Sequence, residues 1–153
     1  KPAFRNLAVG TTFRSAVWRV WFRAGNSLTQ TLILVDSGIL SLASGDYSKQ
    51  LENQVFVELL RRKLDVGYWR GNSSSEVDFV INQNRKITLL QVAYSLSDQA
   101  TFERETSALK EADGKLHADR LLIVVNDGGE KDIQIAGKRI LVLPAWKWLL
   151  GFT

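Results

Sequence analysis

The chain has 153 residues, 45% of them apolar, with a formal net charge of +4. That is one ordinary domain, able to bury a core without staples, and its mild basic bias is compatible with a polyanion partner but does not require one. The absence of cysteine excludes disulfides, thiolate metal sites and cysteine nucleophiles, which agrees with a cytoplasmic setting.

No apolar run reaches the roughly 18 residues of a membrane span, so no membrane partner is expected. The chain begins at Lys1 and contains no methionine, and we read it as a piece of a longer polypeptide. In the stretch FRSAVWRVWFRAGNS, Arg14, Arg19 and Arg23 are interleaved with Trp18, Trp21 and Phe22. Strand propensity is high there, Ala24 to Ser27 is turn chemistry, and LTQTLILVDSG is β-rich, so a hairpin is expected. Arginines among aromatics suit base stacking or phosphate contact. A packed hairpin with aromatics inward and arginines in solvent accounts for the same pattern.

GDYS reads as a turn. From Ser48 the apolar residues Leu51, Val55, Phe56, Leu59 and Leu60 recur at helical spacing to about Lys63. Three short β-rich runs follow, VGYWR (66–70), EVDFVI (76–81) and ITLLQVAYS (87–95), separated by GNSSS and NQNRK. Ser97 or Asp98 caps a second helix, DQATFERETSALKEAD, and RLLIVVN (120–126) reads as a strand covered on both faces. NDGG turns the chain, IQIAGKRILVLP supplies one or two strands, and PAWKWLLG is a short closing helix with Pro144 at its start and Gly151 at its end. The order predicts one α/β domain over 1–153, a three-layer sandwich with a mixed central sheet and helices on both faces. Residues 1–38 form a β-rich lead-in and 47–153 the core.

Helix, three strands, helix, strand resembles the common core of the PD-(D/E)XK nuclease superfamily, the restriction-endonuclease-like fold. The words VDSGIL, LENQVFVELLRR, YWR, EVDFVI, QVAYSLSD and LPAWKWLL, in that order over about residues 30–152, resemble the C-terminal domain of unknown function that follows the ATPase module in many bacterial and archaeal AAA+-type ATPases. The resemblance implies an ATPase module in the same parent polypeptide as partner. No Walker A pattern occurs in this chain.

By motif position the resemblance makes Asp78 the metal-binding aspartate, Gln91 the following glutamate, and Ala93 the lysine two residues later. It implies Mg²⁺ or Mn²⁺ as cofactor, because hard oxygen ligands suit such ions and the ion activates water and neutralises phosphate charge. Gln91 lacks the carboxylate charge and Ala93 offers only a methyl group. Glu52 falls in line with Phe56, Leu59 and Lys63, near the middle of its helix's apolar stripe, and is the third candidate ligand. If Val77, Phe79 and Ile81 fill one face of their strand, Asp78 lies on the other with Val80. A plainer structural reading makes Glu52 a first-turn acid paired with an arginine and Asp78 a loop hydrogen-bond acceptor.

Lys86, Lys63 and Lys49 are candidates to replace the missing lysine, and Lys86, Arg85 and Arg70 are candidate nucleic-acid contacts. His117 reads as a solvated loop residue, Ser73 to Ser75 as a connector, and Trp146 and Trp148 as core-capping residues. The leading functional expectation is a non-catalytic nuclease-fold domain of an ATPase, acting in partner docking or nucleic-acid contact. The alternatives are a working metal-dependent nuclease and a structural oligomerisation domain.

Overall fold

A computed structural model describes residues 5–8, 17–24, 27–34, 46–71, 75–135 and 137–151, the first three segments as backbone. The side chains of the arginine and aromatic stretch, the words VDSGIL and GNSSS over 35–40 and 72–74, and the orientation expected of the first hairpin's aromatics lie outside the described residues.

Six strands form a mixed body in the order β4 (Asp65–Arg70), β5 (Glu76–Gln83), β6 (Lys86–Ala93), β7 (Arg120–Val125), β9 (Lys138–Pro144) and β8 (Lys131–Ile135). The strands β1 (Arg5–Ala8), β2 (Val17–Ala24) and β3 (Ser27–Leu34) continue the sheet from the β4 edge. β2 and β3 form the expected hairpin, with Ala24 opposite Ser27, and β1 lies within the expected β-rich lead-in. β4, β5 and β6 are an antiparallel meander, and β6, β7 and β9 run parallel.

Helix α1 (Tyr47–Arg61) starts at Asp46, whose carboxylate accepts from the Ser48 and Lys49 amides at 3.0 and 3.3 Å. Asp46, Tyr47 and Ser48 of the GDYS word are therefore a helix start, in which an acceptor side chain serves two amides that have no intrahelical partner. Helix α2 (Gln99–Leu116) is the crossover between parallel strands, capped by Asp98 on the Thr101 amide at 2.8 Å, and its last cap is His117 at φ +53. The β5–β6 turn places Asn84 and Arg85 at φ +52 and +64, the left-handed pair that matches strand twist in a two-residue hairpin. Helix α3 (Ala145–Leu149) follows Pro144 and ends near Gly151, at φ +82.

Two apolar layers cover the sheet. Leu51, Val55, Phe56 and Leu59 of α1 pack with Phe79, Ile81, Leu90, Val92, Leu122, Val124 and Trp148 on one face, including a Phe56–Phe79 ring stack at 5.8 Å. Ala108, Leu109, Ala112 and Leu116 of α2 pack with Val77, Val80, Leu89, Ala93 and Ile123 on the other. Burying such side chains contributes roughly 1.5–3 kcal/mol each.

Phe79 and Ile81 thus face α1 while Val77 and Val80 face α2, which corrects the expected sharing of one face by Val77, Phe79 and Ile81. The cause is a bulge: Gly67 pairs with Val80 but Trp69 with Val77, so β5 carries one extra residue against β4. An extra residue inverts side-chain alternation beyond it. Asp78 lies inside that irregularity.

Candidate functional site

At the end of the β5–β6 ladder the two strands stop pairing through backbone alone. Their last regular pair is Phe79 with Leu90. One step further, side chains close the gap: the Asp78 amide donates to Gln91 Oε1 at 2.7 Å, and the Val92 amide donates to Asp78 Oδ2 at 2.7 Å. Gln91 Nε2 donates to the Glu76 carbonyl at 3.2 Å and to Glu105 Oε2 at 2.5 Å. An amide and a carboxyl replace ladder hydrogen bonds that the bulged strand cannot make. Gln91 is buried, as its fully used amide requires.

The structure therefore brings Asp78 and Gln91 together. Glu52 approaches from α1, close enough for its charge to raise the Asp78 pKa. It does not occupy the middle of the apolar stripe. Leu51, Val55 and Leu59 are central, and Glu52 stands exposed on their flank, in the second turn of a helix whose first turn has no acidic residue. Solvent reaches it from one side while protein crowds the other, and that burial, with Glu76 beside it and Lys49 opposing, lifts its pKa above the usual carboxylate range.

Asp78 is pushed up to about 8, first by burial, then by Glu52, against the lowering effect of the Val92 amide, with Glu105 and Glu76 adding to the rise. It is protonated at neutral pH. Its partial exposure leaves a path for solvent to the group.

Sequence reasoning missed Glu105. Its signal is spacing: Glu105 precedes Ala108, Leu109, Ala112 and Leu116 by three, four, seven and eleven positions, so it lies on the buried stripe of α2. A buried carboxylate needs partners. Gln91 is one, and Arg104 is the other at 2.6 Å, its own pKa raised by the bond to Glu105. Asp113, also missed, is buried further along α2, accepting from the Ala118 amide at 2.9 Å and Lys138 at 3.2 Å.

Of the three lysines considered, Lys49 acts on Glu52. Lys63 lies beyond the far end of α1, at φ +55, with nine residues of helix, about 13 Å, between Glu52 and the last helical residue, Arg61. Lys86 faces Gln83 across the hairpin, five positions from Asp78 and so about 17 Å away, with Arg85 in the turn beyond it. Both stand at the opposite end of the hairpin from the junction. Arg70 lies near it but is bonded to Glu76 at 3.0 Å. Ala93 is buried among the α2-facing core residues, so the missing lysine's position is filled by packing. His117 is exposed, Trp148 caps the core, and Trp146 is exposed instead of capping it.

Carboxylate and amide oxygens are donors of the type that Mg²⁺ and Mn²⁺ select. Among the described residues no three His, Cys, Asp or Glu side chains gather into a group that could hold a metal ion. A hollow of about 300 Å³ lies elsewhere, between the loop at Ser95, Leu96 and Ser97 and the loop at Asp127, Gly128 and Gly129. No helix among the described residues is long and apolar enough to cross a membrane.

The chain is 38% identical over 71 residues to an uncharacterized protein of Haemophilus influenzae, covering 42% of the chain and 17% of that protein's length. Its fold is similar to part of a solved half-complex from a tetradecameric assembly of Thermococcus gammatolerans McrB AAA+ hexamers with bound McrC, with a TM-score of 0.44 and 16% identity over 65% of this chain and 28% of that one. A match to the family described as "Domain of unknown function (DUF4143)" spans residues 47–148, two thirds of the chain. It runs from the first residue of α1 to Trp148 of α3, so it takes in both helical layers and the Asp78–Gln91 junction, and the chain belongs to that family.

Proposed function

We propose that this chain is a non-catalytic accessory domain of an AAA+-type ATPase, built on a restriction-endonuclease-like body and acting by docking a partner. The ATPase association is supported by the six sequence words and by membership of the DUF4143 family. The observation that carries the non-catalytic reading is the use of the motif side chains. Gln91 Oε1 is bonded to the Asp78 amide and Asp78 Oδ2 to the Val92 amide, each at 2.7 Å, so both serve as a staple between strands. Metal-assisted hydrolysis needs an ionised aspartate, a second carboxylate and a cation to handle water. In this chain the aspartate favours its proton, position 91 is a neutral amide and position 93 is a packed methyl group.

One observation favours a second reading, a metal-dependent nuclease. Glu105 delivers from α2 a carboxylate to the neighbourhood where the motif glutamate would stand. Incubating the chain with plasmid, single-stranded DNA and RNA in Mg²⁺ or Mn²⁺ separates the two. We expect no cleavage beyond that of Asp78→Ala. Ion-dependent cleavage abolished by both Asp78→Ala and Glu105→Gln would replace the accessory reading with the nuclease.

A further inference from the structure

Beside the junction is an aromatic ledge. Tyr47, the first residue of α1, and Tyr94, next after β6, bring their rings to 5.7 Å at an interplanar angle of 37°. Both stay open to solvent, 64% and 41% exposed. Tyr94 follows Val92, the residue bonded to Asp78, by two strand positions, about 7 Å. Tyr47 precedes Glu52 by five helix positions, about 7.5 Å of rise and roughly 140° around the helix axis. Ledge and acidic junction are therefore neighbours on one end of the sheet.

Charge selects the occupant. Asp46 adjoins Tyr47, and Glu52 and Glu76 repel one another across the junction; Lys49 opposes Glu52, and Arg70 is bonded to Glu76 at 3.0 Å. Lys49 is itself turned to Asp46 at 3.8 Å. A phosphate backbone meets three carboxylates and two cations already turned to two of them, Lys49 to Asp46 and Arg70 to Glu76, which leaves the Glu52 charge to repel it. A guanidinium or ammonium gains twice, from the ring faces and from the carboxylates. We propose that Tyr47 and Tyr94 form a docking ledge for an arginine- or lysine-bearing segment of a partner protein, with Glu52 as the main counter-charge. This names the partner class of the accessory reading and rests on it.

The test is calorimetric titration of the chain with a short peptide of alternating arginine and glycine, beside the same peptide with glutamine for arginine and beside oligothymidylate. The arginine peptide binds and the glutamine peptide does not. Tyr47→Ala and Tyr94→Ala each weaken binding about fivefold, the size of a partly desolvated cation–ring contact. Tyr47→Phe keeps the ring and the affinity, which separates loss of the ledge from a disturbed helix start, and Glu52→Gln weakens binding. Equal binding of the glutamine peptide, or arginine-peptide binding untouched by both alanine variants, overturns the proposal. So does oligothymidylate binding that displaces the peptide and is lost in Tyr47→Ala, which would reassign the ledge to bases. Cleavage lost in Asp78→Ala would overturn the accessory reading and leave the titration standing, whereas absent peptide binding without cleavage removes the ledge alone.

Discussion

Two carboxyl groups, the buried Glu58 and the half-buried Asp78, meet opposite fates. Glu58, in α1, receives Arg61 at 2.8 Å and Arg62 at 2.8 Å, and the bond from Arg61, with Arg62 adding to it, holds its pKa below the usual carboxylate range. Arg62 goes on to donate to the Trp148 carbonyl at 2.7 Å and lies 4.5 Å from the centre of the Trp148 ring. That chain of contacts ties α1 to α3. Asp78 has a backbone amide for a partner and three carboxylates for neighbours, and it keeps its proton instead. The contrast teaches that the fold neutralises a carboxyl group with cations where it joins helices, and with a proton where it joins strands. Raising the pH from neutral leaves the first junction unchanged and titrates the second.

Breaking the cation side of this comparison has the largest expected effect. Arg62→Ala removes the bonds to the Trp148 and Leu149 carbonyls, at 2.7 and 3.3 Å, a ring contact and one partner of a buried acid, each among the costlier losses available to a small domain. We expect a loss of about 2–4 kcal/mol, read as a lower urea midpoint at unchanged slope. A loss below about 1 kcal/mol would show that the α1–α3 tie is carried by apolar packing alone.

The proton side is tested by pH. In the folded chain Asp78 stays protonated up to about 8. Unfolded, an aspartate ionises near 3.9. Between about pH 4 and 8 the unfolded state has therefore released a proton that the folded state still holds, so stability falls as pH rises through that window and levels off above it. Asp78→Asn cannot ionise, and its side-chain oxygen still accepts from Val92. It should match the wild type near pH 4 and exceed it at pH 8 by about 1–3 kcal/mol, less than the full shift implies because solvent reaches part of the group. Parallel stability profiles for the two proteins would mean that Asp78 is ionised at neutral pH.

The elements near these two groups were legible to very different degrees. Periodicity marks α1 and α2 within a few residues, because Leu51, Val55, Phe56 and Leu59 and then Ala108, Leu109, Ala112 and Leu116 follow the helical repeat that packing imposes. Asp78 and Gln91 were legible as a pair through their motif positions. Their bonding was not, since the bulge that reverses the faces of Val77 and Phe79 arises from the register with β4, a nonlocal fact that alternation within β5 does not encode. Glu105 was legible in principle as an acid on an apolar stripe, but a surface acid one position away would read almost alike. Asp46 was hidden because Gly45-Asp46 is equally good turn chemistry, and the choice between turn and cap depends on what α1 packs against.

The smallest expected effect decides how much of the Asp78 shift belongs to its neighbours. Burial is the first cause of that shift and Glu52 the second. Glu52→Gln removes the charge, keeps the shape, and acts at an exposed position, so stability near pH 5 should change by no more than about 0.5 kcal/mol. The titration of Asp78, followed by carbon NMR of its carboxyl group, should move down by less than about one pH unit, since an interaction with a solvent-facing acid is screened. A larger fall would make the two acids a strongly coupled pair, with macroscopic titration steps belonging to both. Glu52 would then be part of the junction's working chemistry as well as the counter-charge on the aromatic ledge.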